Sequence, residues 1–224
     1  MRGMPQQASL KVYGHGQVEV ELVAAYLGDL KHAYDSVLIF EALVDSMRRA
    51  SGEYPSLWPF HGMIKGLPPT SRRTARYVRD WPPTAEQIAS GVPRAEQLVL
   101  SKVNVASPGF WEFLGTLNPL EVLRQYLNDR HERRKDREYR ESAEARRMAL
   151  ENLSREVEVI SNCIKIAKEV GATDRDLTPL LNHLVYRPLT GLDRYQDAHV
   201  IENAEFSSSV PEIEHMHETQ DYNK

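Results

Sequence analysis

A thiol nucleophile needs a base beside it in a cleft, and Cys163 is the only cysteine in the chain. It stands next to an apolar heptad stripe, where a small buried residue is expected, so it reads as packing. Ser207, Ser208 and Ser209 follow one another in a polar stretch, without the strained turn that presents a hydrolase serine. His131 and Glu132 are adjacent, and adjacent side chains on a helix diverge by roughly 100°. Their neighbours one turn on include Arg134 and Lys135, cations where a metal would sit, so a solvated face is expected. His215-Met216-His217 offers two imidazoles to a stray transition metal. Gly14-His15-Gly16 lies between two alternating runs and does not open a helix, so it reads as a turn rather than a phosphate loop. No catalytic residue, cofactor site or metal site is assigned.

Three other groups point to binding. Lys65, Arg72, Arg73, Arg76 and Arg79 lie near Tyr77 and Trp81, placing cations beside rings on which unstacked bases can stack. Arg72, Arg73, Arg76 and Tyr77 are thus candidate contacts to single-stranded nucleic acid; the same arginines also suit a solvated loop paired with the chain's excess acid. Phe110, Trp111 and Phe113, with Leu114, follow a Ser-Pro-Gly turn. They either plug a core or form an exposed aromatic anchor for a partner protein, centred on Trp111. Finally, Leu150, Val157 and Ile164 alternate in heptads with Leu153, Ile160 and Ala167. Leu150, Leu153, Val157, Ile160 and Ile164 are candidate residues for a homodimer seam. The alternative is packing against the chain's own helix near Leu177 to Val185.

The elements that must position these groups read as α+β, mainly α. Leu10 and Val12 alternate with their neighbours, as do Val18, Val20 and Leu22; around the Gly-containing turn the two runs read as a β-hairpin, though the second run also merges into a helical pattern. From about Val20 to Arg49 the apolar residues recur at three- and four-residue steps and predict a long helix with one buried stripe. Gly28 inside it costs about 1 kcal/mol relative to Ala, which suggests a tight contact or a break. Residues 51–96 hold seven prolines and five large aromatics, which predicts an ordered irregular segment packed on the domain, or a partly mobile loop, rather than a free tether. Leu98 to Ala106 predicts a strand that pairs with the hairpin. Phe110 to Gly115 reads as a short helical turn, and Asn118-Pro119 as a helix start.

From Leu120 to Val170, 51 residues contain no proline or glycine. A continuous helix there would be about 75 Å long. Its middle, Asp129 to Arg147, is almost wholly charged and reads as a solvated spacer held by pairs such as Asp129/Arg133. Gly171 suits the residue just past a helix end. A short helix capped by Thr173 or Asp174 and a last strand near Val200 to Phe206 follow. The expected organisation is a domain over 1–118, in which a small antiparallel sheet packs on a long helix. The long helix at 119–170, a small helical module at 171–206 and a mobile acidic tail at 207–224 complete it.

The bulk numbers exclude little. A net charge of −4 argues against a protein that mainly coats nucleic acid. One cysteine rules out an intrachain disulfide and suits a reducing cytoplasm. Met1 to Gly14 lacks the apolar core of a signal peptide, and the most apolar run, Val37 to Val44, is too short to span a bilayer, so no membrane partner is expected.

Ser107-Pro108-Gly109-Phe110-Trp111-Glu112-Phe113-Leu114-Gly115, then Leu117-Asn118-Pro119-Leu120, resembles a segment of uncharacterised bacterial proteins. The resemblance extends to Asp129–Arg137 and to Leu184–Asp197. It implies a bacterial origin and carries over no mechanism. The expected function is a non-enzymatic, self-associating interaction protein of the bacterial cytoplasm, a scaffold with itself and an unidentified protein as partners. A single-stranded nucleic-acid module is the second reading, and an enzyme with scattered site residues the third.

Overall fold

Ala8, Leu10 and Val12 are fully buried while Lys11 and Tyr13 are partly open, the period-two pattern of a half-buried strand. In the computed structural model, which describes residues 6–14, 18–53, 82–104, 106, 108–135 and 158–207, that strand is β1, Gln7–Gly14. Backbone alone is described at 50–53 and 132–135. The expected hairpin does not form. The second run belongs instead to helix α1, Val20–Glu53, whose first turn closes on Glu19 O. The helical spacing of Val23, Tyr26 and Leu30 outweighs three alternating residues. Gly14 ends β1 where backbones crowd. An added Cβ would lie 2.0 Å from Val200 O and 2.7 Å from the Trp111 ring.

Phe110 to Gly115 is a strand and not a helical turn. β3, Gly109–Thr116, turns Trp111, Phe113 and Gly115 toward the helices and Phe110 and Glu112 to the outer face, a pleat that aromatics favour. It pairs antiparallel with β1, Val12 opposite Trp111 and Leu10 opposite Phe113. β2, Val99–Asn104, pairs antiparallel with β3, and β4, Ile201–Ser207, with the other side of β1. The sheet order is β2-β3-β1-β4. This is the order of two interleaved split β–α–β units, β1–α1–β2 and β3–helices–β4.

The expected separation of a 1–118 domain from a 171–206 module is not met. β4 is a strand of the same sheet, and one apolar core runs from Ala8 to Ala204. α1 accordingly has more than one buried stripe. Every residue from Ala33 to Phe40 is buried, because α1 lies between the sheet and the C-terminal helices. On the sheet side, the Tyr34 hydroxyl accepts from Thr116 N at 2.7 Å, and the Tyr26 ring lies 5.5 Å from that of Trp111. On the other side Tyr26 meets Tyr195 edge-on at 5.4 Å. Gly28 has neither expected role: α1 runs through it unbroken, and an added Cβ would meet nothing within 4 Å. A short helix α2, Ala85–Gly91, precedes β2 and packs on α1.

α3, Leu117–Lys135, follows β3 without a loop and buries Leu120, Leu123 and Leu127. Asn118 is inside it, and its amide donates to Glu41 of α1 at 2.8 Å. α4, Glu158–Glu169, packs on both α1 and α3. The two are therefore not the far ends of one straight 51-residue rod, which would hold them tens of ångströms apart, about 1.5 Å per residue. Gly171, at φ 97°, closes α4. Its N–H reaches Lys168 O and that of Ala172 reaches Ala167 O, both at 2.9 Å, the paired bonds of a glycine C-cap.

α5, Asp174–Leu181, begins at Thr173, whose N–H donates to Asp176 at 3.0 Å. A π-helical turn, Asn182–Tyr186, precedes α6, Arg187–Thr190, and α7, Asp193–Asp197. Pro188 accounts for the wide turn, since its ring would press on the carbonyl four residues back in an ordinary helix. No helix among the described residues is long and apolar enough to cross a membrane.

Candidate functional site

A sheet of four strands has two edges, and this chain treats them differently. Along β4, two side chains take the place of a fifth strand. Asn128 of α3 donates to Ala204 O at 2.9 Å and accepts from Ala204 N at 2.8 Å. Gln196 of α7, buried, donates to Glu202 O at 2.9 Å and to Leu127 O at 2.8 Å. Arg130 ties the same elements together, 3.0 Å from Asp197 and 3.5 Å from Asp193.

β2 has no such cover. Among the described residues it pairs only with β3, and each of its six residues is exposed. Val99, Leu100 and Val103 are 53%, 42% and 48% open. Such an edge offers both a row of backbone donors and acceptors and apolar side chains. The register slips by one residue at Ser101, whose hydroxyl donates to Glu112 O at 3.0 Å. Across this bulge Leu100 stands opposite Phe113 and Val103 opposite Trp111, so both share the helix-covered face. Lys102, between them, stands opposite Glu112 and shares the outer face.

The outer face carries a row of alternating charge. Lys102 on β2, Glu112 on β3, Lys11 on β1 and Glu205 on β4 stand opposite one another in turn. Aromatic rings flank the row. The Lys11 ammonium lies 4.2 Å from the Phe110 ring centre and 4.9 Å from that of Tyr13, and the Tyr13 hydroxyl donates to Glu205 at 2.6 Å. Its bond with Tyr13, then the carboxylates of Glu205 and Glu112, raise the pKa of Lys11 above the usual lysine value. Glu112 and Lys11 each have an opposite charge on both neighbouring strands; Lys102 and Glu205, on the two edge strands, each have one, and among the described residues no strand lies beyond Lys102.

The residues singled out in the sequence land elsewhere. Trp111 and Phe113 are buried in the core, so they are not an exposed anchor: the alternation of β3 turns them under α1. Phe110 is half-buried on the outer face, edge-on to Tyr13. Ile160 is buried and Ile164 half-buried in the chain's own core, which takes these two positions from an intermolecular seam. Leu150, Leu153 and Val157 lie outside the described residues, as do Arg72, Arg73, Arg76 and Tyr77. So do Ser208, Ser209 and His215-Met216-His217.

Cys163 is buried among α1 and α4. Burial, then the carboxylates of Glu41 and Asp45, push its thiol up to about 12, so it stays protonated and is a poor nucleophile. Glu41 is itself notable: burial lifts its carboxyl to about 7 against the opposing pull of the Asn118 amide. Burial likewise raises Asp35, which the ammonium of Lys31 contacts. Among the described residues no group of His, Cys, Asp and Glu converges as metal ligands. An open groove of about 710 Å³ between α3 and β4 is lined by Leu117, Glu121, Arg124, Asn128 and Phe206, but Arg124 is already spent on Glu121 at 2.6 Å.

Sequence reasoning missed β2 as a site because pairing Leu98 to Ala106 with the hairpin did not say which strand stands at the edge. The one signal was Lys102 within the apolar run, a residue type common on open edges. Compared with protein-family models, curated proteins and solved structures, the chain finds no match in any of the three.

Proposed function

We propose that this chain is a non-enzymatic interaction protein that engages its partner by strand addition at the β2 edge. A single observation carries the reading: among the described residues β2 pairs on one side only and leaves Val99, Leu100 and Val103 exposed, while the opposite edge is closed by Asn128 and Gln196. Main-chain hydrogen bonds would supply affinity, and the alternating side chains selectivity. A single cysteine, which can form no intrachain disulfide, suits work in a reducing cytoplasm. Self-association is one form of this function, with a second copy of the chain supplying the added strand.

The test uses the full chain beside a Leu100→Lys, Val103→Lys double variant. Both side chains are exposed, so the fold should tolerate the change. Linear peptides are selected from a random displayed library against the parent. Selected peptides should bind the parent and lose at least tenfold on the variant. Sedimentation equilibrium on both proteins runs in parallel; a parent dimer that the variant abolishes makes a second copy the added strand. Peptides that bind both proteins equally, or a monomeric parent that selects none, would sink the proposal.

A further inference from the structure

We infer that the strand added to β2 is an extended peptide with an acidic side chain between two apolar ones. This rests on the strand-addition reading and names its partner's chemistry. The outer-face row runs Lys102, Glu112, Lys11, Glu205, and its alternation stops at the open edge on a cation. The next member of the row is a carboxylate, since unlike charges directly opposite on neighbouring strands attract and like charges repel.

The other face sets the flanking residues. Leu100 and Val103 point to the helix-covered side and are each nearly half open. A strand laid along them presents its two residues of that face to aliphatic surface, so those residues are apolar. β3 already shows the pattern on the inner side of β2. Its consecutive residues Trp111, Glu112 and Phe113 stand opposite Val103, Lys102 and Leu100. The incoming triplet repeats that chemistry, apolar–acidic–apolar. Being palindromic in type, it suits either strand direction.

A second copy of β2 fits less well. Residues 99–104, Val-Leu-Ser-Lys-Val-Asn, contain no acid and would bring another Lys102 to the row. Two lysines directly opposite would repel, which disfavours a second β2 as the added strand.

The experiment is fluorescence anisotropy on the full chain with labelled nine-residue peptides, identical but for a central Val-Glu-Phe, Val-Lys-Phe or Ser-Glu-Ser. Amide hydrogen exchange at 99–104 and sedimentation are read alongside. Val-Glu-Phe should bind about fivefold or more tightly than either other peptide and slow exchange in β2. Lys102→Glu should reverse the preference between the Glu and Lys peptides. If Val-Glu-Phe and Val-Lys-Phe bind the parent equally and both protect β2, the acidic rule is overturned and strand addition stands. If no peptide binds and exchange at 99–104 is unchanged, both are overturned. If β2 is protected without peptide in a dimer, the occupant is a second copy and the inference is wrong.

Discussion

Asn128 and Ala204 form a closed two-bond ring: the side-chain amide of one donates to and accepts from the backbone of the other, at 2.9 and 2.8 Å. A strand neighbour would make the same pair of bonds. An α3 side chain therefore completes β4, whereas β2 has no such neighbour among the described residues. Asn128→Ala should cost about 2 kcal/mol, two bonds at roughly 1 kcal/mol each. Urea unfolding midpoints check it, and an unchanged midpoint would mean that water replaces the amide without loss.

Trp111 distinguishes a core residue from a contact residue. Its ring packs against Tyr26 and over Gly14. Trp111→Ala should lower stability by about 3–5 kcal/mol, read by thermal unfolding. A folded variant of parental stability would return Trp111 to the surface.

Two glycines should respond in opposite directions. Gly28→Ala places a methyl in open space on α1 and should stabilise by about 1 kcal/mol. Gly14→Ala drives its methyl into Val200 O and should destabilise by about 3 kcal/mol. Denaturant titration of both decides, and a tolerant Gly14→Ala would mean that β1 and Val200 sit further apart than described.

Glu41 should make stability fall with rising pH. Its folded pKa, about 7, exceeds its ordinary 4.5, so between those values the folded state holds a proton that the unfolded chain has lost. The contribution is complete below pH 4.5 and is lost as pH rises through 7. The full span is on the order of 3 kcal/mol. Asp35, also raised, acts in the same direction. Glu41→Gln should remove most of the slope between about pH 5 and 7 and leave the variant more stable than the parent above pH 7. Parallel slopes for the two proteins would rule Glu41 out as the source.

Cys163 should be silent in the native state. With its thiol buried and pushed up to about 12, it should react with an aromatic disulfide reagent at pH 8 only after denaturation. Rapid native labelling would place it at the surface.

Local periodicity carried far in this chain. The stripe Tyr26, Leu30, Tyr34 and Val37 announces α1, the spacing of Ile160, Cys163 and Ala167 announces the buried face of α4, and Gly171 marks its end. These depend on neighbours within one or two turns, so they are legible in the residues themselves. Phe110 to Gly115 was misread because its large apolar residues crowd both faces of one short segment: Leu114, on the outer face, is as buried as Trp111. A crowded run fits a turn of helix as well as a strand.

The sequence by itself determined an α+β chain, its long first helix, three of the four strands among the described residues and the protected character of its one thiol. It could show that Ile160 seeks apolar company, but not whose. Only the tertiary structure decided that β1 pairs with residues a hundred and nearly two hundred positions away, that β4 joins the same sheet, and that Trp111 lies under α1. It alone decided that Lys102, Glu112, Lys11 and Glu205 form one row ending at an open edge. The reason is physical. A strand's backbone hydrogen bonds and cross-strand neighbours come from other segments, so which edge stays open belongs to the assembled sheet and to no single stretch of the chain.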